Sequence, residues 1–282
     1  MDTDDTVLWD VTDGVATITF NRPEAHNAQN PRLEQRYLDL LVRADDDRDV
    51  RAVIVTGAGR SFCVGGDAAV AQQVIDAGGW AKGIPHPMER FAMAVRKPVV
   101  AAINGGCAGV GLVYAATCDV RFAARGVKIA TSFSRRGCVA ERGLSWMLPR
   151  LIGHGHASDL LLSGRAIVAE EAERMGLVNR VVERDQLMDV ARTWASDVAA
   201  NCSPSAMATI KRQLLDDTGN DLSTALAQAG EHVMTATSGE PDFREGFASF
   251  RENRPAAFQE LPPLPSRGGK FTLESWTEDS RG

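Results

Sequence analysis

The sequence predicts an α/β fold, and three observations predict it. Two charge-free β-type runs, Ala52-Val-Ile-Val-Thr-Gly-Ala-Gly-Arg-Ser-Phe-Cys-Val-Gly-Gly-Asp67 and Val99-Val-Ala-Ala-Ile-Asn-Gly-Gly-Cys-Ala-Gly-Val-Gly-Leu112, each break into glycines, and the second continues as an apolar helix-like stretch to Cys118-Asp119. The N-terminal half alternates strand, helix, strand, helix, strand, which calls for crossover connections and a parallel sheet. The composition, 44% hydrophobic and 24% charged over 282 residues, is that of a globular chain long enough for one large domain or a domain with a helical appendage.

Each element follows from local pattern. Val15–Phe20 alternates as a strand and stops at Asn21-Arg-Pro23. Pro31 to about Arg43 reads as a helix, with Asn30 as N-cap, Pro31 in the first helical position, and Leu33, Tyr37, Leu40 and Leu41 on one face. A strand at Ala52–Thr56 follows the acidic turn at 45–47. Between Ala68 and Val95 the helical pattern is weak and is broken by Gly78-Gly79 and by Pro85-His-Pro87. Short strands are expected at 121–123 and 128–130, then helices near Ser145–Ile152, His156–Ser163 and Ala169–Met175. Beyond Val181-Val182 the character becomes helical, at Gln186–Ala200, Pro204–Leu215, Leu222–Thr237 and Asp242–Glu252. This sets an expected division into a core at 1–200, a helical region at 201–260 and a polar, proline-bearing tail at 261–282.

Charge and cysteine usage narrow the partners. A formal charge of −6, with no run of five or six Lys or Arg, argues against nucleic acid and against an anionic membrane surface. The five cysteines, at 63, 107, 118, 138 and 202, are odd in number and form no C-x-x-C pair, so reduced, mostly buried thiols and a cytoplasmic location are expected. The acidic start, running directly into a strand, predicts neither a signal nor a transit peptide. Pro98–Cys118 is charge-free and long enough to span a bilayer, but Asn104 and four following glycines make a poor helix, whereas strand–turn–helix accounts for both halves.

Several motifs in order resemble the crotonase superfamily, the enoyl-CoA hydratase/isomerase family. They are Ile18-Thr-Phe-Asn-Arg-Pro23 with Asn27, Gly57-Ala-Gly-Arg-Ser-Phe-Cys-Val-Gly-Gly-Asp67, Lys97-Pro-Val-Val-Ala-Ala-Ile-Asn-Gly105, Gly109-Val-Gly111 leading to Cys118-Asp119, Leu148-Pro-Arg-Leu-Ile-Gly153, Ser163-Gly-Arg165 and Glu170–Val178. The resemblance covers about Val7 to Phe258. It implies a crotonase (ClpP-like) spiral of ββα units, a C-terminal helical region that helps form a homotrimer or dimer of trimers, and an acyl-CoA thioester as substrate. Coenzyme A then enters as part of the substrate, with no tightly bound cofactor and no metal.

By the same resemblance the main-chain N–H groups of Gly66 and Val110 fall where the family's two oxyanion donors lie, to hold a thioester oxygen as it gains negative charge. Read without the resemblance, both segments are equally tight turns. The family's hydratases carry two glutamates that position and split water. Here those places fall on Val113 and Phe133, neither of which exchanges a proton. One carboxylate remains nearby, Glu141 in Gly137-Cys-Val-Ala-Glu-Arg-Gly143, read either as the single proton-transfer group with a pKa raised by Cys138, Val139, Leu144 and Trp146, or as a helix-start residue paired with Arg136 or Arg142. Arg135, Arg136 and Arg142 face solvent or contact an acidic acyl group. Coenzyme A contacts are expected from Arg22, the amides around Phe62–Ala68, Lys211 and the Phe243–Phe250 helix.

Three functional classes follow: isomerisation or a related enolate reaction, hydrolysis, decarboxylation or C–C bond hydrolysis on the same scaffold, and a catalytically silent acyl-CoA-binding subunit. Other chemistries lack their residues. No G-x-x-x-x-G-K-[ST] occurs, Gly57-Ala-Gly59 does not continue as G-x-G-x-x-G, and Ser145 lacks the closing glycine of a nucleophile elbow. His154-Gly-His156 reads as a helix-flanking turn rather than a metal site, while His26 and His86 lie in loops that can approach the pocket.

Overall fold

The computed structural model describes residues 5–79 and 91–262. The expected break at 85–87, His86 and nearly all of the tail lie outside the described residues. The chain repeats one unit of two strands and a helix: β1 (Val7–Thr12), β2 (Val15–Phe20) and α1 (Pro31–Asp46), then β3 (Ala52–Gly57), β4 (Ser61–Cys63) and α2 (Ala68–Asp76). Next come β5 (Val99–Ile103), β6 (Gly106–Ala108) and α3 (Val110–Ala116), then β7 (Val120–Ala124), β8 (Lys128–Ala130) and α4 (Leu144–Ser163). The chain closes with β9 (Ala166–Val168), α5 (Ala169–Arg174), β10 (Arg180–Val182), α6 (Leu187–Asn201), α7 (Pro204–Asp216), α8 (Leu222–Gly239) and α9 (Pro241–Glu252).

Successive units lay their first strands into one sheet and their second strands into another. The larger sheet has the order β1-β2-β3-β5-β7-β10, parallel throughout except for the β1–β2 hairpin. The smaller has the order β4-β6-β8-β9, with β4, β6 and β8 parallel. This is the spiral of ββα units that the resemblance implies. The repetition is invisible in sequence because β4, β6 and β8 are three residues each and two of them sit inside glycine-rich segments.

Burial explains the run-like strands. β3 and β5 are covered on both faces, so Val53, Ile54, Val55, Val99, Val100 and Ala101 form uninterrupted apolar runs instead of alternating ones. The helix α6 lies on this sheet through Ala191, Ala195 and Ala199, spaced by four, and small side chains there let helix and strands approach closely. On the other side, Phe20, Tyr37, Phe62, Phe91 and Tyr114 form a buried aromatic cluster with ring centroids 5.1 to 6.3 Å apart. Asn30 caps α1 through Leu33 N–H at 2.8 Å, as its sequence position predicts. At the other end of α1, Lys97 donates to Ala44 O at 2.8 Å and Asp47 O at 2.6 Å, and burial brings its ammonium pKa down to about 8. The two helices expected on either side of Gly153 are the two halves of α4, which bends where Gly153 takes φ 76°. His154 and His156 lie in its second half rather than in a turn flanking it.

All five cysteines are free thiols. Cys63, Cys107 and Cys118 are buried, Cys202 is half-buried and Cys138 is exposed. Among the described residues no helix is long and apolar enough to cross a membrane, and Pro98–Cys118 resolves into β5, β6 and α3.

Two predictions follow from this packing. A Cβ on Gly111 falls 2.0 Å from Cys63 O, so Gly111→Ala forces α3 off β4; a destabilisation of about 3 kcal/mol is expected, lowering the melting temperature by roughly 6–12 °C. Gly155, helical and exposed with open space around it, is the contrast: Gly155→Ala is expected to raise stability by about 0.5–1 kcal/mol, and equal effects from the two changes refute the packing argument. Burial pushes the Cys118 thiol from 9.0 up to about 12, so the folded protein retains a proton that the unfolded chain releases. Stability from this group is complete below about pH 9 and is lost as pH rises toward 12, at up to about 1.4 kcal/mol per pH unit. Denaturant titrations between pH 8 and 11 are expected to show a shallower decline for Cys118→Ala than for the parent chain.

Candidate active site

Parallel neighbours β4, β6 and β8 end on the same edge of the smaller sheet, and the connections leaving them gather there, as ligand sites do at the carboxyl ends of parallel strands. The three connections are 64–67, Gly109 and 131–143. They carry Gly66, lead into Val110, and carry Glu141.

The first connection is held from the side by the loop after β2. Gln29 N–H donates to Gly65 O at 2.7 Å and Asp67 N–H to Gln29 O at 2.8 Å, an isolated parallel bridge between Gln29 and Gly66. That pattern occupies the groups on either side of Gly66 and leaves its own N–H without a partner among the described residues. Gly65 takes φ 111°, a conformation that an L side chain rarely adopts, and so turns Gly66 out of the ladder into an exposed position. Asp67 then caps α2 by accepting from Ala69 N–H at 3.0 Å and accepts from Arg22 Nη2 at 2.9 Å. The Arg22 hydrogen bond, with that from Ala69, holds the Asp67 carboxyl below the usual carboxylate range.

The second connection is built the same way. Asn104 clamps it to β3, donating to Gly57 O at 2.7 Å and accepting from Gly57 N–H at 3.1 Å. Gly109 takes φ 52° and donates to Ala130 O at 3.1 Å, while its carbonyl accepts from Leu112 and Val113. Val110, the first residue of α3, is left with an N–H unpartnered among the described residues, although its side chain is buried. The residues preceding the two free donors touch: a Cβ on Gly109 stands 3.5 Å from Gly65 Cα, and one on Gly65 stands 3.3 Å from Ala108 O. Two unpaired main-chain donors on neighbouring strands suit an oxygen that gains negative charge during a reaction.

Glu141 sits half-buried in the third connection, where Gly137, Arg142 and Gly143 all take left-handed φ. Its carboxylate has no hydrogen bond or ion pair among the described residues. The expected apolar enclosure is not there in the single chain: Cys138 is exposed, Val139 is 78% exposed and Trp146 is 39% exposed, because the turn projects from the body of the fold and only Leu144 faces inward. Pairing with Arg142 is also absent, since Arg142 turns inward to Glu34. Arg135 and Arg136 are exposed, and Arg135 Nε donates to Ser163 O at 2.8 Å. Val113 and Phe133 are buried, with no titratable side chain at either place.

The residues expected to contact coenzyme A divide. Ala68, first in α2, is exposed beside Gly66. Arg22 lines the same connection but is engaged with Asp67 and, at 2.6 Å, with Ala28 O. The Phe62 side chain is fully buried in the aromatic cluster and has no surface to offer a ligand. Lys211 spends its three ammonium hydrogens on Ala92 O at 3.0 Å, Lys97 O at 3.2 Å and Asp119 Oδ2 at 2.7 Å, so it clips α7 to the core and has no donor left for a phosphate. Phe250, on α9, is 84% exposed. His26 is exposed, with Nδ1 3.3 Å from Ser61 Oγ.

Sequence reasoning missed Glu34. Its carboxylate binds the Arg142 guanidinium through both oxygens, accepts from Gln29 Nε2 at 2.9 Å and lies 3.4 Å from the Tyr114 hydroxyl. The available clue is its place four residues before Leu38 and seven before Leu41, on the buried stripe of α1.

The chain is similar to known proteins over nearly its whole length. The family described as enoyl-CoA hydratase/isomerase matches residues 10–261. The 1,2-epoxyphenylacetyl-CoA isomerase of Escherichia coli (strain K12) is 32% identical over 259 residues, spanning 89% of this chain and 97% of its own. The (E)-benzylidenesuccinyl-CoA hydratase of Thauera aromatica is 34% identical over 268 residues, spanning 90% and 98%. Among solved structures, a probable enoyl-CoA hydratase/isomerase from Mycobacterium abscessus superimposes with a TM-score of 0.84 at 29% identity, covering 90% of this chain and 99% of that one. With nearly the whole chain matched in sequence and in fold, this protein belongs to the enoyl-CoA hydratase/isomerase family and is an enzyme of that acyl-CoA-acting kind.

Proposed function

We propose that the reaction is double-bond isomerisation, or another reaction through a thioester enolate, with Gly66 and Val110 N–H as oxyanion donors and Glu141 as the single proton-transfer group. The observation that carries this reading is the pair of unpartnered main-chain donors on touching connections. Hydration by two carboxylates is disfavoured because Val113 and Phe133 stand where the family's hydratases place them. A lone carboxylate can take a proton from carbon beside the enolate and return it to another carbon, which moves a double bond without consuming water. Coenzyme A is part of the substrate in this reading, reached past Arg22 and Ala68, and no other cofactor is required. Two relatives are named for 1,2-epoxyphenylacetyl and (E)-benzylidenesuccinyl thioesters, so an aromatic acyl group is the first class to offer.

The residues 201–260 are assigned to subunit contacts, on the strength of the apolar side chains that α7–α9 leave in solvent, Leu214, Leu222, Met234, Phe247 and Phe250 among them. Sedimentation is expected to give three or six chains of 30.3 kDa, and a monomer at micromolar concentration sinks the assignment.

The catalytic reading is tested by offering 2-enoyl-, 3-enoyl- and saturated acyl-CoAs while following double-bond absorbance and free thiol. Isomerisation changes absorbance in the enoyl substrates without releasing thiol, and Glu141→Gln is expected to lower its kcat about 10²-fold or more. Thiol release makes the protein a hydrolase. Binding without any spectral change makes it a silent subunit.

A further inference from the structure

One buried carboxylate is tied to all three connections of the site. Arg142 donates to both oxygens of Glu34, the Nη2–Oε2 contact being 3.1 Å, and the two side chains are only 9% and 10% exposed. Gln29 Nε2 adds a bond to Oε2 at 2.9 Å, and the Tyr114 hydroxyl donates to Oε1 at 3.4 Å. Four donors fill the acceptor sites of a carboxylate, which leaves none for a substrate proton. Glu34 is therefore built to hold rather than to react.

What it holds is specific. Gln29 brackets Gly66 through its main chain, and its side-chain oxygen lies 4.0 Å from where a Gly66 Cβ would stand. Tyr114 is one helical turn beyond Val110 on α3. Arg142 directly follows Glu141 and takes a left-handed φ of 52°, with its guanidinium 5.6 Å from the centre of the buried Phe91 ring. A bidentate guanidinium–carboxylate pair fixes orientation as well as distance. The main chain of the 137–143 turn gives little else to orient residue 141, namely the Glu141 O to Leu144 N–H bond of 3.0 Å.

We infer that Glu34 is a positioning residue that holds Glu141 in place through Arg142, its carboxylate being fixed in turn by Gln29 and Tyr114. The inference rests on the assignment of Glu141 as the proton-transfer group.

A mutant cycle on a 3-enoyl-CoA tests it. Glu34→Gln is expected to lower kcat about 30- to 100-fold with KM within about threefold, since a misplaced group slows chemistry more than binding. Glu34→Asp is expected to recover part of the loss. In a Glu141→Gln background the same Glu34→Gln change is expected to cost no more than about twofold, because the group being positioned is gone. Should the buried arginine left by Glu34→Gln prevent folding, the pair Glu34→Gln with Arg142→Met removes both charges and is measured in its place. Asp45→Asn serves as the control: it breaks the equally buried Arg96 ion pair at the far end of α1, and is expected to lower thermal stability with kcat unchanged. A folded Glu34 variant with parental kcat, or full additivity with Glu141→Gln, overturns the inference and leaves the proposed function standing. Parental turnover by Glu141→Gln itself overturns the assignment beneath it, a different and separately visible failure.

Discussion

The approach of two short strands, with hardly an atom between their main chains, is the constraint from which the site follows. β4 and β6 pair in parallel, and the segments flanking them press so closely that Cβ atoms at 105 and 111 would stand 1.8 Å from Arg60 O and 2.0 Å from Cys63 O. Only glycine fits such contacts. Because the strands are neighbours in one sheet and also equivalent members of successive ββα units, the turns that leave them are brought together by the winding of the chain. The free N–H groups at 66 and 110 each follow a glycine in the left-handed region, which rotates the next peptide out of the ladder. Their freedom is thus a product of the repeat rather than a local accident. Gly66 is exposed, so its free N–H is not a buried unpaired donor.

A backbone site of this kind is indifferent to most side chains, and the side chains around it are where this member departs from the family's hydratases. The Val110 side chain is buried, and a main-chain donor does not depend on which side chain its residue carries. Glu141 sits in the connection after β8, in the fourth unit of the same winding. That connection is thirteen residues long, from Thr131 to Gly143, against one residue after β6. Length gives it reach and costs it rigidity. The Glu34–Arg142 pair offsets that cost by binding the turn to α1, and burial makes the pair stiff where a surface pair would be weak.

How far the sequence discloses this architecture depends on which interactions are local. Asn30-Pro31 and the apolar face from Leu33 to Leu41 are local, and α1 stands where they place it. The parallel runs at 52–57 and 99–103 are equally plain because burial on both faces removes every charge. The strands β4, β6 and β8 are not, since three residues carry no periodicity and their pairing is decided by distant partners. Gly66 and Val110 are reached through motif resemblance alone; that the residues before them, Gly65 and Gly109, touch in space is not legible in the sequence. Lys211 and Phe62 show the opposite case. A lysine on a helix looks available in sequence, yet this one caps carbonyls; at Phe62 the expected contact is the main-chain amide, and the side chain fills the core; neither fact is encoded within its own segment. Glu34 escaped because its partners lie 5, 80 and 108 residues away.

The separation of roles bears on the proposed reaction, in which Val113 and Phe133 cannot exchange a proton. On the proposed reading, a thioester oxygen is held by peptide groups whose positions are set by strand pairing, and that pairing does not depend on the side chains at 113 and 133. Those two positions are now buried, Val113 within α3 against the core and Phe133 at the start of the turn that leads to Glu141. An uncharged residue at each removes the cost of keeping a carboxylate dry, while Glu141 stands in a half-exposed turn. Polar burial has moved instead to Glu34, where four donors meet it. On the proposed reading, the acid–base chemistry rests on a turn that Arg142 anchors to Glu34.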